Sequence, residues 1–307
     1  MTGGGRLLSR RHLLAAGVAA GLTTGCASAP RAEQRRDGLE GREIYSESVQ
    51  ISAASPDGST VFSIRLCQYP EIGLAWVWAS LLTPDGSFLF ADNEVAWGGV
   101  AADAANRSEA IYRAQAGDMS IAFFRTGVHG AISTGRLEFR RRGRGGFRVT
   151  AEFAPAAGYT GLLEGRSEMF GAVAAEITAG GKNIGLRGPG QWHEQPQSAP
   201  RFTVPFIYGS LWGQSVNGTL LQSPEGSGAY ALRSERPPLI FRKVAFGPPG
   251  PRREVDLVAE DGTAQALTLE RLHLYTLPIY GRTWTGTFVR GVFLEEPVLG
   301  FVNSWMM

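Results

Sequence analysis

The residues best suited to acid–base chemistry lie side by side in the segment GPGQWHEQPQ, residues 188–197. His193 and Glu194 are adjacent there, directly after Trp192 and between glycines and prolines. Histidine and glutamate are side chains that commonly transfer protons in enzymes. The whole chain contains only 4 histidines, so the place of each restricts where such chemistry can occur. The segment has two interpretations at this point: a catalytic turn, or a loop that only connects strands.

The N-terminal residues predict an export signal rather than a part of the fold. Arg10 and Arg11 form a twin-arginine pair, and the apolar stretch after them is shorter than the ~20 residues that cross a bilayer as a helix. We therefore expect residues 1–29 to direct export by the twin-arginine route, to the periplasm or cell envelope. Cys26 lies in TTGC, which resembles a lipobox. Acylation of Cys26 and ordinary cleavage beside it both stay open.

Composition limits the classes of partner and cofactor. Residues 30–43 are polar and charged, which predicts a flexible tether. The formal net charge of +2 is close to zero without the arginines of the signal, so no nucleic-acid partner is required. Cys67 then has no partner cysteine, and we expect it to be a buried apolar thiol. The sequence has no dinucleotide fingerprint, nucleophile elbow or locally spaced metal ligands, so we expect neither cofactor nor metal.

From Glu43 onward the chain predicts an all-β protein. Short apolar runs with alternation are separated by turn residues, in keeping with 41 glycines and 17 prolines. One short helix is predicted over residues 102–116. A division near residue 162 predicts two β-barrels or sandwiches packed together, over residues 44–162 and 163–307.

An arginine-rich stretch occupies residues 135–148. Apolar and charged residues alternate along it, and glycines near its end provide a turn. The pattern favours an exposed β-hairpin. A surface for anions or lipid headgroups is the alternative.

Residues 167–197 resemble a known superfamily. They predict a strand, a Gly-Gly turn, a second strand and a glycine-flanked loop. This pattern resembles the double-lipocalin superfamily that includes the carotenoid 1,2-hydratases (hydroxyneurosporene synthases), whose loop has the form Gly-x-Gly-x-x-Asp-His-x-Trp-Gly. Gly188 and Gly190 match its glycines, whereas His193 stands at the aspartate, Glu194 stands at the histidine, and the Trp-Gly pair is replaced. Sliding the loop by one residue puts His193 on the histidine instead. The resemblance implies two packed lipocalin-like barrels.

The resemblance also implies a cofactor-free reaction. An acid in an apolar pocket would protonate an isolated isoprenoid double bond, and water would add to the resulting carbocation. Burial favours the protonated form of a carboxylic acid, and aromatic faces stabilise a cation. On this interpretation His193 or Glu194 donates the proton. Four aromatic side chains are the candidates to line the ligand site: Trp192, Tyr208, Trp212 and Trp284.

Three functions stay open on the sequence alone. The protein could be a hydratase-like or isomerase-like enzyme, a carrier of a hydrophobic small molecule or lipid, or a structural or assembly lipoprotein of the cell envelope. The first two require a cavity, and the third predicts no deep pocket. We expect residues 188–195 at the mouth or interface of the two β units, with His193 pointing inwards.

Overall fold

The computed structural model describes residues 43–98, 107–160, 162, 165–279 and 282–306. The predicted export signal, including Arg10, Arg11 and Cys26, lies outside the described residues, as does the predicted tether up to residue 42. Within the described part, no helix is long and apolar enough to cross a bilayer.

Ten antiparallel strands form the first sheet, which curls until its two ends nearly meet. Its spatial order is β4-β3-β2-β1-β10-β9-β8-β7-β6-β5, and one bridge between Trp97 and Ala114 links the ends. The strands are β1 (Ser46–Ala54), β2 (Val61–Tyr69), β3 (Leu74–Thr83), β4 (Gly86–Ala96), β5 (Glu109–Ala116), β6 (Met119–Val128), β7 (Ala131–Arg141), β8 (Phe147–Tyr159), β9 (Ser167–Ala179) and β10 (Lys182–Gln197). A single 3-10 turn, Pro70–Ile72, separates β2 from β3.

Eight further strands form a closed barrel in sequence order. They are β11 (Phe206–Gly213), β12 (Val216–Ser223), β13 (Gly226–Arg233), β14 (Leu239–Phe246), β15 (Arg252–Ala259), β16 (Ala264–Ile279), β17 (Arg282–Phe293) and β18 (Glu296–Trp305). The predicted all-β fold with two barrels is confirmed.

Alternation along the strands divides the buried side chains into three clusters. Val49 and Ile51 of β1 join a cluster to which every strand of the first sheet contributes, which is the interior of that barrel. A second cluster draws on all eight strands of the closed barrel. The third takes side chains from both barrels and lies between them. Neighbouring residues of a strand point to opposite faces. A strand such as β1 therefore places alternate side chains in the interior of the first barrel and at the interface between the barrels.

The predicted boundary at residue 162 is corrected by the strand pairing. Strands β9 and β10 belong to the first sheet, where β9 pairs with β8 and β10 pairs with β1. The chain therefore passes to the second barrel between Gln197 and Phe206. The pairing of β10 with β1 joins residues far apart in the sequence, which local patterns do not reveal.

Other predictions differ in their outcome. The helix predicted over residues 102–116 is wrong where the structure describes it, because residues 109–116 form β5 with alternating exposure. Residues 188–197 are not a loop but the C-terminal part of β10, where residues 190–194 pair with both β1 and β9. The hairpin over residues 135–148 is confirmed by β7 and β8. Cys67 is a buried free cysteine, as predicted.

Candidate functional site

His193 and Glu194 lie near the C-terminal end of β10 and point in opposite directions. Both are buried, at 2% and 1% exposure. Trp192 and Glu194 face the interior of the first barrel, whereas Gln191 and His193 face the second barrel, where Gln191 contacts Tyr208. The two residues of the predicted acid–base pair therefore belong to different environments and do not face the same molecule.

Glu194 is held inside the first barrel by several donors. Its Oε1 lies 2.8 Å from Nε of Arg125 and accepts a hydrogen bond from the indole of Trp192 at 3.0 Å. Its Oε2 lies 3.1 Å from Nδ1 of His129. Tyr112 lies close by, and burial together with the charge of Glu194 raises the pKa of its hydroxyl. These contacts fix the carboxylate in place and occupy both of its oxygens.

His193 belongs to a row of polar residues that crosses four neighbouring strands. Cross-strand pairing places Arg65 of β2 opposite Gln50 of β1, Gln50 opposite His193, and His193 opposite Glu168 of β9. Directly opposite residues have their Cβ atoms about 4.5–5.5 Å apart. The row is thus continuous along the face that the first barrel turns towards the second.

The ring of His193 is buried without a hydrogen-bond partner. Neither ring nitrogen is paired with any residue that the structure describes. Burial lowers the pKa of His193 well below its ordinary value, and the positive charges of Arg166, Arg65 and Arg201 lower it further. The imidazole is therefore neutral near pH 7, and a ring nitrogen without a proton can accept a hydrogen bond.

Glu168 joins the two barrels. Its carboxylate forms an ion pair with Nε of Arg166 at 2.6 Å, and it accepts hydrogen bonds from Tyr208 at 2.7 Å, Thr219 at 2.6 Å and Tyr230. These three hydroxyls come from β11, β12 and β13. Glu168 is not among the residues predicted from the sequence, although a lone acid at the start of the mainly apolar β9 was a usable signal.

More polar atoms without partners lie between the barrels. Within the described residues, Gln191 Oε1, Asn303 Oδ1 and Arg65 Nε are buried and have no hydrogen-bond partner. Most buried polar atoms in proteins are paired, and an unpaired one is costly. Several in one region therefore indicate a place built to contact something other than the protein's own side chains.

Aromatic rings cover the same region. We call Trp76, Trp78, Trp284 and Trp305 the aromatic cage. The ring of Phe202, in the segment between the barrels, lies 5.7, 5.8, 5.4 and 5.5 Å from these four rings. Phe202 has a φ of 63°, a left-handed conformation that is unusual for a bulky residue and marks local strain.

The cavity beside the cage is small. Its volume is about 20 Å³, and it is lined by residues of both barrels that include Gln50, Arg65, Trp78, Trp284 and Asn303. That space suits about one water molecule. A larger ligand would therefore have to displace a side chain, and the ring of Phe202 fills the cage.

A larger groove lies elsewhere between the barrels. It measures about 1970 Å³, is open to solvent, and is bordered by Arg187, Pro189, Trp212 and Arg290 among others. Neither His193 nor Glu168 lines it. The largest described groove and the buried polar row are thus at different places. We place the candidate site at the buried polar row, because its unpaired buried atoms call for a partner and an open groove can be filled by solvent.

The predicted aromatic residues fall into two groups. Tyr208 and Trp284 lie between the barrels with His193. Trp212 lies in the same cluster, where it packs on Phe301 at 5.7 Å and donates a hydrogen bond to a neighbouring serine of β11. Trp192 alone of the four lies inside the first barrel. No set of three or more His, Cys, Asp or Glu side chains in the described part of the chain could hold a metal ion.

Comparison with solved structures shows which proteins share this fold. CghA in complex with Sch210972 superposes with a TM-score of 0.58 at 10% sequence identity, covering 85% of this chain and 88% of CghA. CghA alone gives 0.59 at 12% identity, covering 86% and 89%. An AttH-like protein from Nitrosomonas europaea gives 0.59 at 13% identity, covering 94% of this chain and 99% of its own.

The fold is therefore the double-barrel lipocalin-like fold that the motif at residues 167–197 had suggested. No protein-family profile matches the chain, and no curated protein matches it in sequence.

Proposed function

We propose that this protein binds a small, mainly apolar molecule between its two barrels. The ligand's apolar part would occupy the aromatic cage, and its polar group would face His193, Gln191 and Asn303. The observation that carries this proposal is the convergence of buried, unpaired polar atoms from both barrels on one aromatic region. A protein of the same fold, CghA, has been crystallised with the compound Sch210972, which supports a ligand-binding role.

Binding requires the ring of Phe202 to leave the cage, because the cavity is otherwise too small. The left-handed backbone at Phe202 stores about 1–3 kcal/mol in comparable residues. Release of that strain would offset part of the free energy needed to move the ring. Phe202 thus acts as a plug that the ligand replaces.

The binding proposal can be tested with N-phenylnaphthylamine, an uncharged dye that fluoresces in apolar sites. The full chain would be titrated beside Ser80→Phe, which adds bulk at a cavity-lining residue, and Ser120→Phe, a matched change at an exposed residue of β6. We expect Ser80→Phe to weaken binding at least tenfold and Ser120→Phe to bind as the parent does. Equal binding by all three proteins, each shown to be folded by its thermal transition, would overturn the proposal.

An enzymatic version is favoured by one observation, the unpaired ring nitrogens of His193 at this site. Burial and the neighbouring positive charges oppose protonation of the ring, so His193 would act as a base only towards an activated proton, such as one on carbon beside a carbonyl. The arginines would stabilise the resulting anion. The hydratase version instead requires a strong acid. Glu194, the carboxyl group first considered for it, faces the first barrel and not this site.

Labelled water distinguishes the versions. The protein and His193→Gln would be incubated with an isoprenoid lipid extract in water carrying deuterium and heavy oxygen. Heavy oxygen in a product means hydration, and deuterium alone means proton abstraction and return. An unlabelled ligand that stays bound to both proteins means a carrier.

We also propose that the protein is exported and anchored by a lipid at Cys26. The support is the sequence alone, through the twin-arginine pair and the lipobox-like residues. Replacing Arg10 and Arg11 by lysine should leave the protein in the cytoplasm of a bacterial host. Cys26→Ser should abolish labelling by a fatty acid; labelling that persists in this variant would refute the anchor.

A further inference from the structure

The inter-barrel site carries an excess of positive charge. Three arginines lie near enough to His193 for their charges to lower its pKa, namely Arg65, Arg166 and Arg201. Arg166 is neutralised by its ion pair with Glu168. Arg65 and Arg201 form no ion pair with any residue in the part of the chain that the structure describes, so two cationic groups lack a counter-charge.

These two guanidinium groups are held in place by β1. Arg65 donates to Ser48 Oγ at 3.1 Å, and Arg201 donates to Ser46 Oγ at 2.8 Å. The two serines are two residues apart on one strand and share a face, so the guanidinium groups are neighbours. Arg201 also donates to the carbonyl oxygen of Gln195 at 2.6 Å. Uncharged acceptors thus orient both arginines and leave their charge uncompensated.

Placing like charges together in a half-buried site is unfavourable. Burial, together with the charges of Arg201 and Arg166, lowers the pKa of Arg65 to about 10. Arg65 is still cationic near neutral pH, so the repulsion is present in the folded protein. The side chain also extends over the ring of Trp78, 5.5 Å from its centroid, which connects the cationic pair with the aromatic cage.

We infer that the ligand of this site carries an anionic group, such as a carboxylate or sulfonate, and that Arg65 and Arg201 bind it. The inference rests on the proposed binding function and narrows its ligand to an amphipathic acid. The apolar part would replace the Phe202 ring, and the anion would supply the missing counter-charge. Planar guanidinium groups suit such anions because they donate two parallel hydrogen bonds.

A matched pair of dyes tests this inference. Anilinonaphthalene sulfonate has the ring system of N-phenylnaphthylamine with a sulfonate added. We expect the full chain to bind the sulfonate at least tenfold more tightly, with an affinity that falls as salt is raised. Arg65→Gln and Arg201→Gln should remove this preference, because they weaken binding of the sulfonate at least tenfold more than binding of the uncharged dye. Arg148→Gln, at an exposed residue of β8, is the control and should keep the preference.

The outcomes separate the two proposals. In one outcome Ser80→Phe weakens binding of both dyes, the two affinities are equal, and Arg65→Gln and Arg201→Gln change neither. This result would overturn the inference of an anionic ligand and leave the proposed binding site standing. Binding of neither dye would overturn both proposals. Ser80-sensitive binding of the sulfonate alone, lost in Arg65→Gln, would support both. Arg65→Lys, which keeps the charge, should recover part of the preference.

Discussion

At the scale of single residues, Glu168 shows how charge joins the two barrels. It is almost completely buried, and its oxygens accept from one arginine and three hydroxyls of the second barrel. Taking a carboxylate out of water is costly unless it is paired and hydrogen-bonded. Glu168 meets that condition only when the barrels are packed together, so its contacts specify their relative placement.

Replacing Glu168 by Gln should destabilise the protein strongly. The change leaves Arg166 buried without its counter-charge and removes acceptors for the hydroxyls. Breaking a buried pair in this way costs about 3–5 kcal/mol. The measurement is the free energy of unfolding in urea, with Glu152→Gln, at an exposed residue of β8, as the control.

A loss below about 1 kcal/mol would contradict the role given to Glu168, since that is the range of a single neutral hydrogen bond. Should Glu168→Gln fail to fold, Tyr230→Phe offers a milder test. It removes one donor to the same carboxylate and should cost about 1–2 kcal/mol.

The buried His193 predicts how stability depends on pH. The histidine of the unfolded chain takes up a proton near pH 6.5, whereas folded His193 stays neutral to a lower pH because its pKa is depressed. The unfolded state then binds more protons, so stability is complete above about pH 6.5 and falls as the pH drops towards the folded pKa. This group contributes a slope of up to about 1.4 kcal/mol per pH unit in that window.

Urea unfolding at several pH values checks this expectation. His193→Gln should show a smaller loss of stability than the parent between about pH 6.5 and pH 5. The other histidines are unchanged in the variant, so the difference in slope belongs to His193. Parallel pH dependences in the two proteins would show that His193 is not held neutral.

At the scale of elements, β10 is the strand on which the site depends. It pairs with β1 and β9 along its length and presents Trp192 to one barrel and His193 to the interface. The close approach of β1 and the residues after it explains why glycines stand at the positions that match the superfamily motif. A Cβ on Gly188 would lie 1.9 Å from the carbonyl oxygen of Ala54, so only glycine allows the chains to approach this closely.

Two alanine substitutions in β10 distinguish the effect of a steric clash with the neighbouring strand from the effect of losing a flexible glycine. Gly188→Ala forces the neighbouring backbone to move and should lower the free energy of unfolding by about 1–3 kcal/mol. Gly185→Ala is the matched control, since a Cβ there meets nothing within 4 Å. It should be neutral or stabilise by up to about 1 kcal/mol through the unfolded chain. Equal effects of the two changes in urea unfolding would refute the packing argument.

At the scale of the whole molecule, the two barrels share one of three apolar clusters. Phe170 and Trp78 of the first barrel pack there with Tyr230, Trp284 and Phe301 of the second. Each barrel also has an interior of its own. The shared cluster, together with the contacts of Glu168, couples the folding of one barrel to that of the other.

We therefore expect the barrels to unfold together. Circular dichroism and tryptophan fluorescence should report one coincident transition in urea. Trp284→Ala should shift the entire transition by about 3–5 kcal/mol, because it removes a large side chain from the shared cluster. Two separate transitions, with only one moved by this change, would show that the barrels fold independently.

The local properties of this protein follow from its sequence alone. Alternation and turn residues predicted the β-strands, and residues 167–197 indicated the double-barrel fold. Both signals are local, because alternation has a period of two residues and turns depend on a few neighbouring side chains. The same local signals selected His193, since a histidine in a glycine-flanked segment can be recognised without knowing its neighbours in space.

Which side chains meet becomes known from the three-dimensional packing of the strands. It paired β10 with β1, sent His193 and Glu194 to opposite faces, and brought Glu168 to His193 and to the second barrel. It also placed Phe202 in the aromatic cage. These contacts join residues far apart in the sequence, and their register follows from the closure of two barrels and the packing between them, for which no short stretch of sequence carries a signal.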